Sequence, residues 1–539
     1  MDLASWKAIL ASGTCSIALL VGSSGVIGGL TAATAQAAGR YGGTLTIEIP
    51  NDPPGLDPAT VLDNDSGYVL GTLYDGLTAY APGTTKVIPA LATSWKITNG
   101  GKTYTFTLRK GVTFSDGTAF NAQAVYEWID HLTNPKNPNY YANQKGIQTF
   151  VPFTWGNFKS AKVLGPYTIQ VNLSSPNGEF LADLAMVWDG ITSPAAVAKW
   201  GANYYLHPSG TGPFVLTKWV RGQYVEVTAN PHYWGGKPYL QNIIFDEIPN
   251  PATEILSLRT GKVQILTDVA PNEIPQIKSD SSLKLLSEAG LDDNAVSLPM
   301  QTGPFRSLLV REALNYAVNK AEIDKVLYGG LAQVMNSPLP TVAFGYDPKI
   351  PAYPYNPQKA KALLKQAGYP NGFSATMLVY TGARGYNPIG GPTLATAIQS
   401  ELGAVGVKLH LDIVDPTAWL AQARTNSFHL MSLTGWTGDN GDPDDMISPL
   451  FNGNAFTVGN FSHYNNANVN KWFAQALQTS VQSQRAAIYD KIQKQIMHDC
   501  PWIFLNYTNL LRAESTTVHG FVPNPTFFYV NMNQVWLSK

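Results

Sequence analysis

The chain has 539 residues, 44% of them hydrophobic and 14% charged, which is long enough for roughly three to four domains with large buried cores. Its net charge of -1 provides no overall basic field, so nucleic acid is excluded as an expected partner. The 48 glycines and 37 prolines follow no period, which is typical of a loop-rich globular protein rather than of a fibrous or disordered one.

The amino terminus has the pattern of an export signal. Lys7 precedes an apolar stretch over residues 8–30, and Ala35-Gln36-Ala37 fits the small-x-small cleavage rule. We therefore predict that residues 1–37 are a signal peptide and that the mature protein is periplasmic or otherwise extracytoplasmic. Because the apolar stretch approaches the roughly 20 residues that span a bilayer, a retained N-terminal membrane anchor is the alternative.

The cysteines exclude an intrachain disulfide in the mature protein. Only two are present, and Cys15 lies within the export segment, which leaves Cys500 alone after cleavage. A role for Cys15 in lipid attachment is disfavoured, because Gly13-Thr14 before it is a poor match and most of the apolar stretch follows it.

Alternating apolar and polar residues predict several strands in the first half of the chain. Asn121 is expected to cap a helix that extends to His131, and a second helix over 251–260 is expected to end at Gly261. The predicted strands are residues 43–49, 102–108, 169–173, 214–218, 224–228 and 243–248.

The second half of the chain is richer in helical periodicity. Helices are predicted over 310–318, 359–367 and 394–402, and Gly368 and Gly403 are expected to end the last two. Strands are predicted to follow at 374–380 and 407–414, and residues 469–498 form a long amphipathic segment. Strands that alternate with helices predict an α/β fold.

Motifs for catalysis, cofactors and metals are missing from the sequence. Gly101-Lys102-Thr103 resembles the end of a phosphate-binding loop but lacks the required earlier glycine. Neither a His-Glu-x-x-His nor a Gly-x-Ser-x-Gly motif occurs, and no two of the eight histidines have metal-ligand spacing. We therefore expect no cofactor, no metal and no enzymatic activity, with a secreted hydrolase as the remote alternative.

The most distinctive segment is an acidic, glycine-rich stretch over residues 435–445, which follows the apolar run 428–433. A carboxylate held in such a loop can receive a cationic group such as an ammonium. The stretch does not fit a calcium loop, because the twelfth position counted from Asp439 is Leu450 rather than Glu. From the residues alone, Asp439 is most simply a solvated turn residue.

An ordered set of short motifs covers nearly the whole mature chain and resembles a known family. The chain is similar to the extracytoplasmic solute-binding proteins, family 5, of ABC importers for peptides and nickel, and within them most similar to dipeptide-binding proteins. The motifs are Pro89–Trp95, Tyr104–Arg109, Phe114–Thr118, Gly210–Phe214, Asn230–Trp234, Val310–Lys320 and Ala360–Leu364.

The resemblance implies an α/β, two-lobed periplasmic-binding-protein fold of the class II type with an extra third domain. Lobe I is expected over residues 38–76, 209–290 and 509–539, the extra domain over 77–208, and lobe II over 291–508. A monomer of this kind captures a dipeptide or short peptide between hinged lobes. It then delivers the ligand to the transmembrane subunits of an ABC permease, which work with a cytoplasmic ATPase.

The resemblance also implies ligand-binding residues. Asp439 corresponds to the aspartate that pairs with the peptide α-ammonium, and Arg384 to the arginine that pairs with the peptide carboxylate. The other candidates, on the ligand loop, in the pocket walls and on lobe I, are Gly435, Trp436, Thr437, Tyr386 and Asn64. The chain departs from the family in three ways: Gly385 replaces a proline beside Arg384, the family's disulfide cysteines are lacking, and the residue types of the loop 62–66 differ.

A dipeptide fits these two charged residues physically. It is a zwitterion whose charges lie under about 7 Å apart, so a carboxylate and a guanidinium at opposite ends of a closed pocket would measure its length. A longer peptide would leave Arg384 buried without a counter-charge. Ligands that remain open on the same fold are oligopeptides, glutathione, a nickel chelate and an oligosaccharide, although a sugar has no ammonium for Asp439. Without the resemblance, Arg384 would be a surface ion-pair residue and Trp436 a core residue.

Overall fold

The computed structural model describes residues 41–144, 147, 149–456, 458–526, 528 and 531–538. The predicted signal peptide, residues 1–37, lies outside the described residues. Within them, no helix is both long enough and apolar enough to cross a membrane. The names lobe I, insert (residues 77–208) and lobe II are used below for the ranges given above.

The strands lie mainly in one large sheet and one smaller one. In chain order they are β1 (Thr44–Ile49), β2 (Thr78–Tyr80), β3 (Val87–Pro89), β4 (Ala92–Thr98), β5 (Thr103–Leu108), β6 (Phe158–Gly165), β7 (Thr168–Leu173), β8 (Phe214–Val220), β9 (Tyr224–Ala229), β10 (Asn242–Glu247), β11 (Ile265–Leu266), β12 (Leu283–Ala289), β13 (Asp292–Ser297), β14 (Ala332–Val334), β15 (Ser374–Tyr380), β16 (Lys408–Val414), β17 (Met431–Thr437), β18 (Trp502–Ser515), β19 (Val518–His519) and β20 (Trp536–Leu537).

Helices cover the faces of these sheets. They are α1 (Asn64–Leu73), α2 (Ala122–Thr133), α3 (Val151–Trp155), α4 (Phe180–Asp183), α5 (Pro194–Trp200), α6 (Pro251–Arg259), α7 (Ile274–Ser279), α8 (Leu308–Ala317), α9 (Lys320–Leu327), α10 (Pro357–Gln366), α11 (Gly391–Ala404), α12 (Pro416–Asn426), α13 (Pro443–Phe451), α14 (Ala467–Leu477) and α15 (Gln482–Asp499).

The large sheet runs through both lobes. Its strands follow the order β16-β15-β17-β13-β18-β11-β1-β10-β9-β8, with β12 and β14 paired beside β18. β1 and β10 are parallel, as are β15 and β16, whereas β18 is antiparallel to the strands it pairs with. Helices pack against several of its strands, such as α11 on β15 and β16 and α8 on β18, as the alternation of strands and helices predicts.

The long strand β18 connects the two lobes. Its residues 502–506 pair with β13 and its residues 506–508 with β14. From Asn509 onward it pairs with β12. Because β12 and β13 are separated only by Gly290-Leu291, the chain crosses between the lobes twice, side by side.

The insert has its own antiparallel sheet, in the order β4-β5-β7-β6. The helix α2 packs on it and begins where the sequence predicts, because the side chain of Asn121 accepts hydrogen bonds from the backbone N–H groups of Gln123 and Ala124. Buried Trp128 on this helix meets Trp155 edge-on, with ring centroids 5.4 Å apart. The insert therefore has a hydrophobic core of its own.

One predicted helix end was wrong. The helix α11 continues through Gly403 to Ala404, and the left-handed position is taken by Gly406, with φ of 93°. The long amphipathic segment 469–498 forms two helices, α14 and α15. The hydroxyl of Thr479 accepts the N–H of Val481, a turn that competes with helical hydrogen bonding between α14 and α15.

The shared strand gives a stability prediction. Phe504 on β18 is fully buried, so Phe504→Ala should lower the free energy of unfolding by about 3–5 kcal/mol through lost burial and a residual cavity. The control is Val326→Ala on α9, where the side chain is 64% exposed and the expected change is within about 0.5 kcal/mol. Urea unfolding followed by tryptophan fluorescence measures both, and equal losses would contradict a core role for β18.

Candidate functional site

A cavity of about 510 Å³ lies where residues of lobe I, the insert and lobe II meet. We call it the interlobe cavity. Lobe I contributes Leu62, and the other lining residues come from the insert and from the end of β17 through the residues after α13. Those residues are Phe150, Phe153, Glu179, Asp183, Met186, Trp436, Asp439, Asn440, Asp444, Asp445, Ser448, Pro449, Asn452, Asn454, Ala455 and Val458.

The acidic stretch enters this cavity as a tight loop between β17 and α13. The N–H of Gly438 donates to the carbonyl of Leu291 at 2.9 Å, which holds the loop beside the lobe crossing. The carboxylate of Asp445 accepts the N–H groups of Asp439 and Asn440. Asp442 caps α13 by accepting the N–H of Asp444 at 2.9 Å.

The loop is shorter than the sequence predicts. Gly435, Trp436 and Thr437 belong to β17, because they pair with Asn294, Asp293 and Asp292 of β13. The glycine content of the stretch favours a loop, but ladder pairing in the sheet overrides that preference. The loop itself begins at Gly438.

The Asp439 side chain lines the interlobe cavity and is half-buried. Within the part of the chain that the structure describes, its carboxylate has neither a hydrogen-bond donor nor an ion-pair partner. Burial, followed by the charges of Asp292 and Asp183, raises the pKa of this carboxyl to about 7. A cation placed beside Asp439 would therefore gain a charge-assisted contact and return the carboxyl to its ionised form.

All the charged residues of the lining are acidic. The lining includes five carboxyl groups, and none of the described residues that line the cavity is Lys, Arg or His. Burial is the main cause that raises the pKa of Asp444 to about 7 and the pKa values of Glu179, Asp183 and Asp445 well above their usual range. The site is thus electrostatically suited to a cationic group and unsuited to an anionic one.

Gly435 and Tyr386 pack against each other beside the loop. A Cβ at Gly435 would lie 2.4 Å from Cδ2 of Tyr386, so only glycine allows this ring to approach β17. The Trp436 N–H donates to Asp293 at 2.9 Å, while its buried Nε1 has no hydrogen-bond partner among the described residues. The Thr437 hydroxyl donates to Asp292 at 2.5 Å.

Arg384 lies in the turn between β15 and α11. Its guanidinium carbon is 5.3 Å from the ring centroid of Tyr380 and 5.8 Å from that of Trp419, a stacked position that suits arginine. Its buried Nε has no hydrogen-bond partner among the described residues, and none of their carboxylates forms an ion pair with it. β15 is parallel to β17, so the carboxyl ends of these two strands lie on the same side of the sheet. Arg384 follows the end of β15 and Asp439 follows the end of β17, which places both residues on that side.

The structure therefore places Trp436 and Asp439 in the lining of the interlobe cavity, whereas Arg384, Tyr386 and Asn64 are not among its lining residues. Asn64 is exposed at the start of α1, and from its loop it is Leu62 that reaches the cavity. The insert residues were missed from sequence. Their one local signal is the spacing of Glu179 and Asp183, four residues apart at a short helix.

Direct contacts join the insert to lobe II beside the cavity. Tyr80 donates to the carbonyl of Asn440 at 3.0 Å, and the Asn440 amide donates to Asp183 at 2.7 Å. Arg485 donates to the carbonyl of Gly178 at 3.0 Å and forms a two-point ion pair with Asp442. Both members of this pair are only 3% exposed, so the loop is held by a buried charge pair.

Breaking this pair should be costly. Arg485→Met leaves Asp442 buried without its counter-charge, and we expect a loss of about 3–5 kcal/mol in the free energy of unfolding. Lys325→Met serves as the control, because it removes the solvent-exposed pair with Glu322, which should cost under about 1 kcal/mol. Chemical denaturation of both variants measures the difference, and a loss at Arg485 as small as at Lys325 would contradict the buried-pair role.

Comparison with known proteins places the chain in context. The family described as bacterial extracellular solute-binding proteins, family 5 Middle, matches residues 86–457. The dipeptide-binding protein of Escherichia coli is 32% identical over 512 residues, covering 91% of this chain and 94% of that protein. Heme-binding protein A of Haemophilus influenzae is 30% identical over 489 residues, covering 88% of each chain.

A solved structure has the same architecture. It is that of the periplasmic binding protein DppA from Helicobacter pylori in complex with the peptide STSA. It matches with a TM-score of 0.75 and 32% identity, and the match covers 94% of this chain and 100% of that one. The predicted α/β two-lobed fold with an extra domain is confirmed by this likeness.

Proposed function

Because the chain belongs to the bacterial extracellular solute-binding proteins of family 5, we propose that it captures dipeptides between its lobes as the substrate-binding component of an ABC importer. It then delivers them to the transmembrane subunits of a permease that is driven by a cytoplasmic ATPase. The similar proteins are solute-binding proteins rather than enzymes, and the protein is proposed to act without catalysis as an exported monomer.

The observation that supports this proposal most is the unpartnered carboxylate of Asp439 in an acidic cavity. A dipeptide at neutral pH carries an α-ammonium, which would pair with Asp439 in a place from which basic side chains are absent among the described lining residues. A charge-assisted hydrogen bond there is stronger than a neutral one. Trp436 lines the same cavity and would provide an apolar wall for the ligand.

Arg384 is proposed to bind the other end of the ligand. Its planar guanidinium can donate two parallel hydrogen bonds to a carboxylate, and its stacking on Tyr380 and Trp419 limits the positions it can take. Tyr386, seated against Gly435, would lie between the two charged ends. The proposed pocket therefore selects ligands by the distance between their ammonium and carboxylate groups, about 7 Å in a dipeptide.

Closure is proposed to occur about the paired crossings, Gly290-Leu291 and Thr508-Asn509. A ligand shifts a protein toward its closed state only if it binds that state better, which requires contacts from both sides of the cleft. Lobe II would supply Asp439 and Arg384, the insert would supply its cavity residues, and lobe I would supply the loop of Leu62 and Asn64.

Longer peptides are the second candidate. The Helicobacter pylori relative is in complex with the peptide STSA, and the cavity is compatible in size with more than one kind of small ligand. With a tetrapeptide, a neutral amide would face Arg384 unless the arginine side chain moves to reach the peptide carboxylate. Affinity for dipeptides and tetrapeptides therefore distinguishes the two candidates.

The test is binding by the purified protein, measured by isothermal titration calorimetry with Ala-Ala, N-acetyl-Ala-Ala and tetra-alanine. Asp439→Asn should weaken Ala-Ala binding by about 10- to 100-fold, since it removes one charged partner, and should have a much smaller effect on N-acetyl-Ala-Ala. Asp280→Asn, on an exposed turn of lobe I, is the control. Equal losses for free and acetylated ligand would reject the ammonium contact, and binding of tetra-alanine alone would reject the dipeptide assignment.

Binding should also depend on pH. Burial raises the pKa of Asp439 to about 7, whereas an ammonium beside it would lower that pKa. Binding therefore releases a proton below pH 7, and affinity should fall up to about tenfold for each pH unit below that point. Calorimetry at pH 5.5 to 7.5 in buffers of different ionisation enthalpy measures the released proton. A flat profile, identical in Asp439→Asn, would contradict the assignment.

A further inference from the structure

A second carboxylate reaches the interlobe cavity from the insert, whereas Asp439 reaches it from lobe II. Glu179 precedes α4 on the insert and lines the cavity. Its backbone N–H donates to Asn177 at 3.0 Å, which fixes the residue at the start of the short helix. Within the described chain, its carboxylate receives neither a hydrogen bond nor an ion pair.

The surroundings of Glu179 do not neutralise it. Burial and the neighbouring charges of Asp183 and Asp444 raise the pKa of Glu179. Asp444 is itself buried, and among the described residues only one of its oxygens accepts a hydrogen bond, from Tyr489 at 3.0 Å. The guanidinium of Arg485 is already engaged in the two-point pair with Asp442. This part of the cavity therefore has spare acceptors and no free counter-charge among its described lining residues.

A simple dipeptide would leave this region unmatched. In the proposed function its ammonium pairs with Asp439 and its carboxylate with Arg384, so half-buried Glu179 and buried Asp444 would stay without a cation. A third charge on the ligand, carried by the side chain of its first residue, would lie on the Asp439 side of the molecule. It would then pair with carboxylates that the protein leaves free.

The apolar part of the lining suits the stem of such a side chain. Phe150 and Phe153 lie with ring centroids 5.7 Å apart, and Phe153 is 70% exposed although it lines the cavity. The methylene groups of lysine or arginine pack well on aromatic faces, with the charged end extending beyond them. A metal ion is a poorer occupant, because no group of three or more potential ligands suited to a metal occurs among the described residues.

We propose that the preferred ligand is a dipeptide whose first residue is lysine or arginine, and that Glu179 binds its basic side chain. This inference rests on the proposed function and names the class of dipeptide. It divides the ligand's charges among three positions: Asp439 takes the α-ammonium, Glu179 the side-chain cation and Arg384 the carboxylate.

The test compares Lys-Ala with norleucyl-Ala, which has a side chain of similar length without the charge, by calorimetry on the full mature protein. Lys-Ala should bind at least about tenfold more tightly, and ε-acetylation of the lysine should remove that advantage. Glu179→Gln should bring the ratio of the two dissociation constants, norleucyl-Ala to Lys-Ala, close to one. Glu127→Gln, on the exposed face of α2, should leave that ratio unchanged. Lys-Ala binding no tighter than norleucyl-Ala would overturn the inference.

Charge reversal separates recognition from a structural role. Glu179→Lys should bind Glu-Ala more tightly than Lys-Ala, a switch that loss of packing alone would not produce. Unchanged preference in this variant would overturn the role of Glu179. If norleucyl-Ala and Ala-Ala bind while Lys-Ala shows no advantage, the inference fails and the proposed function stands. If no dipeptide binds at all, both fail together.

Discussion

Buried negative charge without a protein counter-charge is the constraint that governs the cleft. Glu179 and Asp183 approach the interlobe cavity from the insert, and Asp439, Asp444 and Asp445 approach it from lobe II. Bringing like charges together in a medium of low polarity is unfavourable, so each carboxyl must bind a proton, accept hydrogen bonds or meet a cation. In the proposed function the ligand supplies the cation, which couples closure of the lobes to the charge of the solute.

The surrounding structure satisfies some of these carboxyls and leaves others free. Backbone N–H groups of the loop donate to Asp445, the amide of Asn440 donates to Asp183, and Arg485 neutralises Asp442. These interactions hold the loop rigidly and bring the insert against lobe II. Asp439 and Glu179 have no such partners among the described residues, so the same network that fixes the loop also exposes two acceptors to the cavity.

The sequence predicts strand bounds and helix caps well where neighbouring residues alone decide the local structure. The strand 374–380 has its predicted bounds, and Asn121 caps its helix as expected. Gly435 to Thr437 were predicted to form a loop because their composition is glycine-rich, but pairing with β13 places them in a strand. The contributions of Glu179 and Phe153 could not be predicted, because their approach to lobe II joins segments more than 250 residues apart and no local pattern encodes it. Asp439 was singled out by family resemblance, since its spacing alone is that of an ordinary turn.

The placement of β18 near the end of the chain determines the order in which the protein can fold. The sheet of the insert, β4 to β7, is complete once residue 173 has been made. In the described part of the large sheet, β12 and β14 pair only with β18, so neither finds its partner before residues 502–515 emerge. During synthesis the insert can form early, whereas both lobes keep unpaired strand edges until almost the whole chain is available. Since such edges invite aggregation, a strand that is made late, β18, is the one that protects both lobes of the nascent protein.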